Sequence, residues 1–137
     1  MDQKLELLKR VPLFKGLGRR DLEEISRLGD EVDVREGRTL TSQGELGHEF
    51  FVIISGAARV EKDGVRVRTL HDGDFLGEIA LLDGRPRSAT VTVEVPTRLF
   101  VLAHREFESL MDRFPSIQRS VLLALAERVR QTEPETT

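Results

Sequence analysis

Cysteine is absent from the 137 residues, long apolar runs are missing, and neither sign of charge dominates. Without cysteine there is no disulfide framework and no thiolate nucleophile, and a cytosolic setting is permitted. The longest apolar stretches, Phe50–Ile54 and Val121–Ala126, are far too short to span a bilayer. Met1–Arg10 is charged at alternate positions and lacks the apolar centre of a signal peptide, so a cytoplasmic protein is expected. With 24 acidic against 21 basic residues and a net charge of −3, the chain carries no basic excess of the kind that tracks a nucleic-acid backbone. His48, His71 and His104 fall in separate turns without metal-ligand spacing, so no metal is expected. A Gly-x-Ser-x-Gly elbow, a Walker lysine and a close acid pair with a partnered base are all missing, so no enzyme is expected.

What is present suits one domain: this length with 39% hydrophobic residues buries a real core and leaves no room for a second of comparable size. Leu5, Leu7, Leu8 and Val11 repeat at helical spacing up to Pro12, and Leu22, Ile25 and Leu28 do so again before Gly29. Two short helices within residues 2–29 are expected. From 32 to 102 short β-prone runs are broken by Glu36-Gly37, Gln43-Gly44, Ser55-Gly56, Asp63-Gly64 and Asp72-Gly73. That rhythm fits antiparallel strands with tight turns, a β-roll or jelly roll. Phe50–Ile54 lacks alternation and reads as a core-crossing strand, whereas Val65, Val67 and Thr69 alternate with Arg66 and Arg68 as a half-exposed strand would. A helix pair closes the chain over residues 105–131. Phe107, Leu110 and Met111 mark the first helix; Ser116 is expected to cap the second, whose apolar stripe is Ile117, Val121, Leu122, Leu125 and Val129. Pro134 ends it, and 132–137 reads as a flexible tail.

The stretch Leu76–Val91, LGEIALLDGRPRSATV, is the most suggestive. Gly77 lets backbone approach a ligand, and one helical turn over residues 78–82 would aim free N–H groups at an anion. Arg87 brings a guanidinium fork that stays charged and pairs two oxygens at once, helped in its field by Arg85. Glu78, an acceptor only, must face a donor, and a sugar hydroxyl is the obvious one. An acid for a hydroxyl and a base for a phosphate describe a nucleotide. Taken alone, an acid and an arginine nine residues apart would equally describe a surface ion pair.

Gly73-Asp74-Phe75-Leu76-Gly77-Glu78-Ile79-Ala80-Leu81 through Arg85-Pro86-Arg87-Ser88-Ala89-Thr90-Val91 resembles the phosphate-binding cassette of cyclic-nucleotide-binding domains, as found in catabolite activator proteins and cyclic-AMP-dependent kinase regulatory subunits. The Pro12-Leu13-Phe14 entry resembles that family as well. The resemblance implies an eight-stranded antiparallel β-roll with N-terminal helices and a C-terminal helix pair, the domain covering 1–131 and the cassette 76–91. It implies that Glu78 takes the ribose 2′-hydroxyl and Arg87 the cyclic phosphate. Gly77, Ile79 and Ala80 would present backbone, Ser88 and Ala89 would close the phosphate side, and Val60, Val67 and Leu70 would wall the base. Thr132, late in the last helix, aligns with a base-capping position. Serine at 88, where binders of cyclic GMP often have threonine, favours cyclic AMP with cyclic GMP second. The ligand is then the only small molecule required, with no cofactor.

The resemblance further implies that ligand draws the C-terminal helix onto the pocket and that occupancy is read by a protein effector or an attached domain. A homodimer through that helix is allowed, though no sustained heptad asks for it. The chain stops where a catabolite-type regulator would continue into a helix-turn-helix, so direct DNA binding is not expected. The competing expectation is a degenerate β-roll that serves only as a protein-interaction module.

Overall fold

The computed structural model describes residues 3–77 and 84–132, without the side chains of the last two. Glycine turns cut the middle of the chain into eight strands: β1 (Asp30–Val34), β2 (Thr39–Thr41), β3 (Glu49–Ser55), β4 (Ala58–Lys62), β5 (Val65–Leu70), β6 (Phe75–Leu76), β7 (Thr90–Val93) and β8 (Thr97–Ala103). They pair antiparallel into two four-stranded sheets, β1-β8-β3-β6 and β2-β7-β4-β5, which form the expected β-roll. Helices flank it: α1 (Gln3–Lys9), a 3-10 turn (Pro12–Phe14) and α2 (Arg19–Leu28) before the strands, α3 (His104–Arg113) and α4 (Pro115–Thr132) after them.

The missing alternation in Phe50–Ile54 has a simple cause: β3 is buried on both faces. Phe51 and Ile53 point into the roll with Val60, Leu70, Leu76, Val91 and Leu99. Phe50, Val52 and Ile54 point outward and meet the helices in a second core with Phe14, Ile25, Phe75, Phe100, Phe107 and Ile117. Phe50 stacks on Phe107 at 4.4 Å between ring centroids and tilts against Phe75 at 5.5 Å. The sheet β1-β8-β3-β6 is thus sandwiched between two apolar layers, which is why its central strand reads as a continuous hydrophobic run.

Three expectations change. Along β5 the alternation runs the other way: Val65 and Val67 are 64% and 51% exposed, and Leu70 is the buried residue. The ladder between β4 and β5 shifts between Val60 and Glu61, so Val60 pairs with Arg68 and Glu61 with Arg66. With Leu70 buried, the period of two carries Arg68 to its side of the strand and Val67 to the opposite one. The last helix also differs. Pro115, not Ser116, opens it, as suits a residue without an N–H in a first turn where that donor has no partner anyway. Its inward seam is Ile117, Val121, the partly buried Ala124 and Leu125, and half-buried Arg128, whereas Leu122 and Val129 face out at 63% and 54% exposure. Spacings of three and four select the seam, and the hydrophobicity of individual residues does not.

Candidate functional site

The inner faces of β4, β5, β6 and β7 leave an open cleft at the roll. Val60, Leu70, Leu76 and Val91 make its apolar walls; Gly77, Arg87, Ser88 and Ala89 make one rim; Arg68 and Arg128 line it as well. Among the described residues no helix is long and apolar enough to cross a membrane, and no group of three acidic or histidine side chains is placed to hold a metal.

Arg87 is the best-fixed polar group in this cleft. It is 7% exposed; Nη1 donates to the Gly77 carbonyl at 2.9 Å and Nη2 to the Glu49 carbonyl at 2.7 Å. Its own backbone is tied to the loop between β2 and β3: the Arg87 N–H donates to the Glu45 carbonyl at 2.7 Å, and the Gly44 N–H donates to the Arg87 carbonyl at 2.9 Å. Gly77, at φ +97°, adopts a left-handed backbone open to glycine, and a Cβ there would press on Arg87 Nη1 and the Glu49 carbonyl. The backbone at Gly77 and the backbone at Glu49 therefore hold one guanidinium in place, while residues 44 and 45 hold its main chain. Arg85 by contrast is exposed and does not line the cleft.

The base wall implied by family resemblance divides. Val60 and Leu70 line the cleft and are 3% and 4% exposed; Val67 faces solvent because of the β5 register, and Arg68 stands on the cleft side instead. Glu78, Ile79 and Ala80 lie outside the described residues, as does the side chain of Thr132 at the last position of α4. One turn earlier the helix presents Arg128, which is not among the site residues expected from the sequence. It lines the cleft, its Nη2 donates to the Phe75 carbonyl at 3.0 Å, and its guanidinium lies 5.8 Å from the Phe75 ring centroid. The signal was available, because Arg128 continues the 117, 121, 124/125 seam at helical spacing; a cation simply does not register when apolar residues are being counted.

Residues 31–114 match the family model of the cyclic nucleotide-binding domain. This chain belongs to that family. Over 106 residues it is 35% identical to the cAMP-dependent protein kinase regulatory subunit of Yarrowia lipolytica, the match covering 76% of this chain and 28% of the relative. It is also 35% identical over 123 residues to a cyclic nucleotide-gated potassium channel of Rhizobium etli, covering 90% of this chain and 34% of the channel. The regulatory domain of Toxoplasma gondii PKA, solved with cAMP, superposes with a TM-score of 0.78 at 25% identity, covering 90% of this chain and 49% of that one. The chain thus spans about a third or less of the two curated relatives. One domain type serves in a kinase subunit and in a channel, which separates the ligand site from whatever reads it.

Proposed function

We propose that this chain is a receptor module for a cyclic nucleotide, cyclic AMP first and cyclic GMP second, without catalytic turnover. The observation that carries this is Arg87: a buried guanidinium, its fork fixed by two backbone carbonyls, on the rim of a cleft with aliphatic walls. Such a fork suits a phosphate, and its orientation is set before any ligand arrives. Gly77, Ser88 and Ala89 flank the phosphate, and Glu78 accepts a hydrogen bond from the ribose 2′-hydroxyl, with Ile79 and Ala80 presenting backbone beside it. Val60 and Leu70 receive the purine face. The cyclic-AMP-bound neighbour supports the choice of ligand, and Ser88 supports adenine over guanine.

Occupancy passes to an effector protein or attached domain through α4, and a homodimer through its exposed side would be one way to do so. Arg128 supports this route, since it joins the helix to Phe75, two residues before Gly77. Titration calorimetry with cyclic AMP, cyclic GMP and 5′-AMP tests the proposal. Saturable heat with cyclic AMP, less with cyclic GMP and least with 5′-AMP is expected. Absence of heat with both cyclic ligands at millimolar concentration would leave the chain as a β-roll used for protein interaction.

A further inference from the structure

We propose that Gly47, in the loop between β2 and β3, is a positioning residue for Arg87: the side chain it lacks is the space the guanidinium occupies. The inference rests on the reading of Arg87 as the phosphate ligand and names a residue outside the cassette that makes it competent.

A Cβ built on Gly47 would lie under 3.0 Å from Arg87 Nε, Cζ and Nη2, far inside van der Waals contact. The three nearest atoms all belong to the Arg87 guanidinium group, so the first collision is with the charged end of one flexible side chain. The backbone of Gly47 is also outside the left-handed region, so it lacks the positive φ that favours glycine at Gly77. This separates Gly47 from Gly77, where a side chain would meet both a left-handed backbone and the Glu49 carbonyl. At Gly47 the requirement is for empty space next to the guanidinium. The two anchors beside it in sequence, the Glu45 carbonyl on the Arg87 N–H and the Glu49 carbonyl on Nη2, fix the loop and the arginine to each other. A side chain between them leaves the arginine to yield, and its fork turns away from the rim. A bidentate contact tolerates little misplacement, and a shift of about 1 Å in a positioned group can cost on the order of 100-fold.

The test compares Gly47→Ala with Gly18→Ala, which adds the same methyl where a Cβ meets nothing within 4 Å. Cyclic AMP affinity is read by titration, melting temperature by calorimetry, and the state of Arg87 by its Nε–H resonance in the ligand-free protein. Gly47→Ala is expected to weaken cyclic AMP by about 10- to 100-fold, to move the Arg87 Nε–H resonance, and to leave melting within a few degrees of the parent. Gly18→Ala should leave affinity and resonance unchanged. In an Arg87→Ala background, Gly47→Ala should cause no further loss, since the side chain it displaces is gone. Parent-like affinity for Gly47→Ala, an unmoved resonance, or an equal loss without Arg87 would each overturn the proposal. Should Arg87→Ala itself bind cyclic AMP like the parent, the reading of the site fails first, and that outcome is distinguishable because it does not involve Gly47.

Discussion

Two parts of the cleft are built to different standards. At the rim beside Gly77, Arg87 is 7% exposed and is joined by four hydrogen bonds to backbone from the β2–β3 loop, β3 and the end of β6. The end of α4 meets the same cleft through half-buried Arg128, by a hydrogen bond to Phe75 and a ring contact, while Leu122, Leu123 and Val129 on the same helix are exposed. Backbone-anchored groups buried between strands open only when the sheet does. A helix end with exposed side chains on its outer face opens locally at lower free energy. The contrast fits a receptor in which the anion seat is rigid and the helix is the part whose position a ligand can bias.

Mutations separate the two parts. Arg87→Ala has the largest expected effect, a loss of ~3–5 kcal/mol in cyclic AMP binding measured by titration, because a buried phosphate loses its counter-charge. Near-parental affinity would contradict its role. Leu70→Ala, in the apolar wall, should lower unfolding stability by ~2–4 kcal/mol in chemical denaturation, whereas Val67→Ala should stay within ~0.5 kcal/mol. A reversal of that order would return Val67 to the wall. Arg128→Ala should weaken cyclic AMP by ~1 kcal/mol and speed amide exchange in the last turns of α4 without changing it at residues 44–49.

The smallest effect lies away from the cleft, where Arg98 of β8 faces its register partner Asp33 of β1 with Nε–Oδ1 at 3.0 Å and also meets Glu31 at 3.2 Å. The hydrogen bond from Arg98 holds the Asp33 carboxyl below the usual carboxylate range, with desolvation opposing and the Arg98 charge adding to it. Because the folded value is the lower one, the contribution is present at neutral pH and disappears as pH falls through that depressed value. Parent and Asp33→Asn should therefore differ slightly in melting temperature at pH 7 and converge in acid. A gap that does not change with pH would contradict the assignment.

Much of this was legible in the residues. Glycine-marked turns place the strands, and a five-residue apolar run places β3, because both signals are local and strong. Gly77 and Arg87 could be singled out from the sequence, and the structure brings them together, since a left-handed glycine and a guanidinium have few substitutes. What escaped depends on register. Val67 and Arg68 are neighbours, and the pairing of Val60 with Arg68, set from Leu70, decides which of them enters the cleft. Arg128 was hidden by its charge, and Gly47 by looking like one more loop glycine until the arginine from 40 positions later is seen against it.

Hydrogen exchange of the parent protein with and without saturating cyclic AMP tests the central contrast most directly. Protection should rise in the last two turns of α4, while residues 44–49, already anchored to Arg87, change little. Protection that appears only at residues 44–49, with α4 unaffected, would contradict a preformed anion seat beneath a mobile helix.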